Sequence, residues 1–301
     1  MQPINVQQPN AKAVVRRVGR VLTGGGWLVQ ALPLLLLALL AGRAADDAQS
    51  LQLSALLQLA GSVLLLLSVA CCKIGVWRVA SRRAQHAGTS ATTWVLRALV
   101  LAGGLAFGLA FAERHGGART IEMGQIAFGQ DPVAVIDARI SADGHSLLLS
   151  GTLGAGSADK VHELLANAPG VHLVRLQSAG GRLFEAESIA ADIRQRRLNT
   201  YVDGLCASAC TMVLLAGRQR GAAPNARIGF HRPSFAGVDD DRTVDADVLM
   251  RYYRNAGIAR AFIEKVRATP SQTMWFPPRQ ELERHRVLTP TPPGGGLLAL
   301  R

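Results

Sequence analysis

The sequence predicts an α/β domain of layered, mainly parallel strands carried behind a membrane region of three transmembrane helices. Three observations predict it. Three long apolar runs fall within the first 112 residues. The charges of the two parts differ sharply. After residue 132 the apolar period alternates between that of a strand and that of a helix.

The charge pattern comes first because it removes a function class. The chain has 301 residues and a formal net charge of +12. Residues 1–112 hold two acids, Asp46 and Asp47, against ten Lys or Arg, which is +8. Residues 113–301 hold 19 acids and 23 Lys or Arg, only +4. The basicity is therefore not a property of a globular surface, and nucleic acid is not an expected partner. An apolar fraction of 49% excludes disorder, and four Cys exclude a disulfide-dense mini-protein.

Val21–Gly42, Ala55–Cys72 and Trp94–Ala112 are runs of 22, 18 and 19 residues, the last broken only by Arg97. About 20 apolar residues cross a bilayer. These runs predict spans near 21–42, 55–72 and 94–112, with the lipid bilayer as a partner, Arg97 snorkelling to the headgroups and Trp94 at the interface. Lys12, Arg16, Arg17 and Arg20 precede the first span without an acid. Lys73, Arg78, Arg82 and Arg83 form a second acid-free stretch between spans two and three. Positive loops stay inside, so the N-terminus is expected in the cytoplasm and everything after Ala112 outside. In a bacterium this is a multi-pass inner-membrane protein with a periplasmic C-terminal domain. Cys71 and Cys72 end the second span and read as filler at the bilayer edge.

Residues 113–132 read as a polar connector, and 133–290 as the α/β domain. Val133–Ile140 and Ser146–Gly151 read as strands around the Asp143-Gly144 turn. Ser157 is placed to cap a helix through Ala168 with Val161, Leu164 and Leu165 on one face. Val171–Leu176 is a strand, and Leu183–Leu198 a helix with Ile189, Ala190 and Ile193 inward. Asn199–Asp203 is a short strand and Ala209–Ala216 an apolar helix. Arg227–Phe230 is again strand-like. Val244–Tyr253, Ala259–Ala268 and Pro277–Arg286 read as helices, and 291–301, rich in Pro and Gly, as a flexible tail.

Three segments carry chemistry. Leu176–Gly181 is a strand running into a double glycine. Gly204–Gly217 is a tight turn feeding an apolar helix, with Ser208 at its mouth. Ala223–Pro233 is a strand ending at His231. A serine at a strand-to-helix turn sits beside unpaired N–H groups at the positive end of a helix dipole. Gly180 and Gly181 let a second backbone approach with its N–H exposed, and two such groups make an oxyanion hole. A histidine closing a neighbouring strand is placed to take the serine proton. From these residues alone the readings stay open: Ser208 is equally an ordinary helix cap, and His231 a surface residue before a turn.

The run from 204 to 233 resembles the active-site segment of the Clp protease proteolytic subunit, within the Clp protease/crotonase superfamily. The matching residues are Ser208, Ala216-Gly217, Pro224-Asn-Ala-Arg227, His231 and Pro233, with Ser178-Ala-Gly-Gly181 upstream and Val287-Leu-Thr289 near the end. The resemblance implies a spiral of ββα units over 133–290, with Ser208 as nucleophile and His231 as general base. It places the oxyanion donors at Ala209 and at Gly180 or Gly181. It also implies self-association, a peptide or protein substrate, and no cofactor or metal. The expected activity is that of a membrane-anchored, outward-facing serine peptidase.

The sequence departs from the family at two points. The family's aspartate falls on Met274 here, and no acid lies between Lys265 and Glu281. Cys210 stands where the family has a glycine two residues after the serine. The first departure leaves the orienting acid to come from Asp239-Asp240-Asp241 or to be missing, as in a non-catalytic assembly or binding module. A Ser–Lys dyad through Lys265 is a further alternative, and acyl-CoA chemistry of the crotonase kind is disfavoured by an outward location. Cys206 and Cys210 flank Ser208. They either form a disulfide, since thiols oxidise outside the cytoplasm, or are two small apolar residues packed under the turn. Zinc is disfavoured, because two Cys without a nearby His pair fall short of four ligands.

Overall fold

The computed structural model describes residues 31–48, 50–87, 91–114, 117–235, 238–239 and 244–289. The chain divides into two compact units, one of residues 1–48 with 54–120, the other of 49–53 with 121–301.

The first unit is helical. α1 covers residues 31–46 of the described chain, α2 is Leu51–Ala87 and α3 is Ala91–Arg114. The expected second loop is not a loop, because α2 runs on through Lys73, Arg78, Arg82 and Arg83 to Ala87. Arg and Ala are strong helix formers, and Gly75 alone does not break the ladder. Leu51–Arg82, whose most apolar 18-residue stretch has a mean hydropathy of 2.2, is the one described helix long and apolar enough to cross a membrane. Arg97–Leu109 within α3 is a shorter apolar helix. Three spans are therefore not reproduced. Part of the first run, 21–30, lies outside the described residues, and the apolar part of the third is only the 13 residues Arg97–Leu109. Arg97 is held between two rings, 5.1 Å from Trp77 and 5.6 Å from Trp94.

The second unit is the α/β domain. The expected connector is largely helical, with α4 over Gly117–Ala127. β1 (Asp137–Ile140) and β2 (Ser146–Leu153) form the antiparallel hairpin that the Asp143-Gly144 turn predicts. α5 (Ser157–Asn167) follows, then β3 (Leu173–Gly181), α6 (Leu183–Gln195), β4 (Asn199–Ala207) and α7 (Cys210–Leu215). β5 (Arg220–Ala222) and β6 (Arg227–Gly229) both pair with β4. A separate hairpin, β7 (Ser234–Phe235) with β8 (Val238–Asp239), comes next. α8 (Val244–Asn255), α9 (Arg260–Ala268) and α10 (Arg279–Arg284) end the described chain. The 291–301 tail lies outside the described residues.

The sheet order is β1-β2-β3-β4-β5, with β6 also on β4, and every pair except β1–β2 is parallel. β3 alternates strictly. Val174, Leu176, Ser178 and Gly180 are buried, while Arg175, Gln177, Ala179 and Gly181 are exposed. The buried side meets Val161 and Leu165 of α5, Ile189 and Ile193 of α6, and the wholly buried α7 in a single core. On the other face Arg175 grips Asp203 through Nε and Nη2.

Ser157 is not the cap of α5. The cap position belongs to Gly156, in the left-handed region at φ 90. The buried Ser157 hydroxyl instead donates to the Gly154 carbonyl at 2.6 Å and accepts the Ile136 N–H at 3.1 Å. The first turn of α5 is capped from α6, where Glu185 accepts the Ala158 N–H at 2.7 Å and the Gly156 N–H at 3.3 Å.

Candidate active site

The site is built where parallel strands end. Leu205, Cys206 and Ala207 of β4 lie opposite Arg227, Ile228 and Gly229 of β6. The residues that follow each strand, Ser208 on one side and Phe230-His231 on the other, therefore leave the same edge of the sheet. The Ser208 N–H donates to the Gly229 carbonyl at 3.0 Å, which locks the two strand ends together.

Ser208 has φ 53, one of three described non-glycine residues in the left-handed region. That conformation costs an L-residue about 1–2 kcal/mol and is the geometry of a nucleophile on a sharp strand-to-helix elbow. Its carbonyl accepts a hydrogen bond from Thr211 Oγ1 at 2.6 Å. With the Thr211 proton so committed, the Tyr253 hydroxyl, 2.6 Å away, is the donor to Thr211 Oγ1. The neighbouring Tyr252 hydroxyl donates to the Met212 carbonyl at 2.8 Å and accepts from Arg194 at 2.7 Å. Burial pushes the Tyr252 hydroxyl up to about 12, so it stays a donor at neutral pH. α8 thus holds the elbow helix through two tyrosines. Neither was a candidate from sequence, because nothing local marks a tyrosine whose partner is some forty residues away.

Gly180 lies against the back of the elbow. It has φ 100, and a Cβ there would come within 2.6 Å of the Ala207 carbonyl oxygen and 2.8 Å of Ser208 Cβ. Only glycine permits this approach. The Gly180 N–H is taken by Ser178 Oγ at 3.1 Å. Gly181 and Ala209 therefore remain as the candidate oxyanion donors.

Cys206, the penultimate residue of β4, and Cys210, the first of α7, are joined in a disulfide that encloses Ser208. Both are buried, at 0% and 1% exposure. Of the two readings open in the sequence, the bridge is the one found. Cys71 and Cys72 of α2 are free.

His231 is half-buried at the end of the β6 segment. Its Nδ1 lies 2.6 Å from the Arg232 carbonyl oxygen. A carbonyl only accepts, so Nδ1 carries a proton and donates it. In the neutral ring Nε2 is then the basic nitrogen. Below it Phe230 packs edge-on to Phe262 at 5.0 Å and to Tyr253 at 6.1 Å. Phe230 and Trp275 exchange both backbone hydrogen bonds at 2.9 Å, which brings Met274 alongside. A Cβ on Gly229 would meet the Met274 and Phe276 side chains at 2.7 Å. Met274 thus lies against the strand that ends in His231, where the sequence comparison expected an aspartate. Lys265 is committed elsewhere, 4.1 Å over the Trp275 ring and 3.4 Å from Glu281 Oε1. In the acidic run, Asp239 belongs to β8, while Asp240 and Asp241 lie outside the described residues. Among the described residues no group of three His, Cys, Asp or Glu is placed to hold a metal ion.

No curated protein matches the chain. A solved structure of a ClpP1 point mutant from Listeria monocytogenes is similar at 19% identity and a TM-score of 0.39. It covers 48% of this chain and 90% of its own. Residues 160–286 match the family model described as Clp protease, a span that takes in the double glycine, the Ser208 elbow and His231. The match runs from within α5 to just beyond α10, so this part of the α/β domain is similar to the Clp proteases.

Proposed function

We propose that the protein is a membrane-anchored serine hydrolase, acting on peptide bonds, whose α/β domain faces the periplasm and works as a homo-oligomer. The observation that carries this reading is the left-handed Ser208 at the mouth of α7, backed by Gly180. A plain helix cap has no need of such backbone strain.

In the proposed reaction Ser208 Oγ attacks the substrate carbonyl carbon while His231 Nε2 takes the hydroxyl proton. The Ala209 and Gly181 N–H groups receive the negative charge that develops on the carbonyl oxygen. The proton then passes from His231 to the departing amine, and water repeats the sequence to release the acyl group. The Nδ1 bond to the Arg232 carbonyl supports this role, since it leaves Nε2 as the acceptor. Membrane attachment is supported by the apolar Leu51–Arg82 helix and by the outward leucines of α1 and α3, among them Leu32, Leu99 and Leu105, each more than 60% exposed.

A second reading, a non-catalytic assembly module, is favoured by Met274 in the expected place of an acid. A fluorophosphonate probe on the full chain in detergent separates the two. Labelling of wild type, abolished in Ser208→Ala and cut strongly in His231→Ala but unchanged in Lys265→Ala, is the expected result. A folded wild-type chain that never labels makes the module reading correct. Loss of labelling in Lys265→Ala with retention in His231→Ala makes the Ser–Lys dyad correct.

A further inference from the structure

The Cys206–Cys210 bridge encloses the one residue whose backbone conformation the chemistry needs. β4 delivers Cys206, α7 begins at Cys210, and Ser208 sits midway in the left-handed region. The N-terminal half of the elbow is fixed by the Ser208 N–H bond to Gly229, and its carbonyl by Thr211. These hydrogen bonds hold Ser208 at its two ends. The disulfide is the one covalent tie between the strand end and the helix start, and it opposes a separation that would let φ relax into the ordinary right-handed region. Ala209, one of the two candidate oxyanion donors, lies inside the same ring.

We infer that the disulfide is a positioning element of the nucleophile and that its formation activates the enzyme. The inference rests on the hydrolase reading above. In the reduced chain the elbow samples relaxed backbone states in which Ser208 Oγ and the Ala209 N–H no longer converge. Only the oxidised chain holds them together. Activation is a thiol–disulfide exchange. The Cys206 and Cys210 thiols give up two protons and two electrons, and their Sγ–Sγ bond forms as the S–S bond of a disulfide-bearing oxidant breaks. That oxidant leaves as two thiols. Both cysteines are buried in the folded domain, so the exchange takes place before the elbow closes and the finished bridge is shielded from small thiols. A chain folding in a reducing compartment is thereby kept inactive, and one folding in an oxidising compartment is switched on once.

The test uses the full-length protein in detergent, with fluorophosphonate labelling rate and the turnover of a peptide ester as readouts. Cys206→Ala/Cys210→Ala keeps two small apolar side chains under the turn and removes the bond. Relative to oxidised wild type it is expected to label about tenfold more slowly, with kcat lowered and KM unchanged. Wild type warmed with phosphine reductant until mass spectrometry finds both thiols alkylatable is expected to slow similarly. It should recover on reoxidation with oxidised glutathione, whereas the double variant should not. Circular dichroism at the assay temperature checks that each form is folded. If the double variant unfolds, the reduced and reoxidised wild type carries the comparison. Equal labelling of oxidised and reduced folded forms overturns the inference and leaves the hydrolase reading standing. No labelling of oxidised wild type overturns both.

Discussion

Ser208, Gly180 and His231 each do something their residue type alone does not imply. A serine before a helix is usually a cap. Here φ 53 and the bond from Thr211 make it an elbow instead. Gly180 is required twice over, by its positive φ and by the 2.6 Å that a Cβ would leave to the Ala207 carbonyl. Gly180→Ala is therefore expected to cost about 1–3 kcal/mol of stability and to slow fluorophosphonate labelling by about 10–100-fold. Thermal unfolding and labelling rate at a temperature where both proteins are folded check the two effects separately. A variant that labels like wild type would show that the glycine serves only the strand crossing. The motif pattern around Ser208 and His231 was legible because chemistry and tight turns restrict the residue types. The tautomer of His231 was not, because it depends on where the next peptide's carbonyl points.

Among the elements from β2 to α10, all but the short strands β5, β7 and β8 were readable from period, with most ends within a few residues; two or three residues are too few to show a period. β4 extends to Ala207, four residues beyond the expected Asp203, because β6 arrives to pair with its second half after β5 has paired with its first. That partner change is a property of the sheet and leaves no local mark. α4 was missed because its glycines and polar residues resemble a linker. In the structure Glu122 of α4 and Asp131 both ion-pair with Arg182, the residue after the double glycine. Burial pushes the Asp131 carboxyl upward, but Arg182 and the N–H groups of Val133 and Ala155 outweigh it and hold the group below its ordinary 3.8. A depressed carboxylate stabilises the fold above that value, and the contribution disappears as the pH falls through the lower folded value. Asp131→Asn is expected to lose about 1–2 kcal/mol at pH 7, after allowance for water reaching the pair, and to show a smaller further loss below pH ~3.8 than wild type. Urea unfolding at neutral and acid pH measures both. Parallel losses in the two proteins would remove Asp131 from the acid response.

At the scale of the whole chain, the segregation of charge makes a prediction about topology. With the acid-free stretch around Arg78–Arg83 inside, alkaline phosphatase fused after Ala87 should be inactive, and fused after Arg301 active. The opposite pattern would place the α/β domain in the cytoplasm and remove the compartment that the disulfide needs. By itself the sequence determined the division into an apolar basic part and a near-balanced α/β part. It also determined the periods of the elements and the order of the double glycine, Ser208 and His231. Composition, periodicity and turn chemistry are local, so they can be read along the chain. Only the tertiary structure decided that the cysteines are bridged and that β6 sets Gly229 against the elbow. It alone brought Tyr253 to Thr211, and Met274 beside the strand ending in His231. The bridge depends on how the elbow turns two cysteines four residues apart toward each other, and each of the others is a contact between residues that the fold, rather than the chain, makes neighbours.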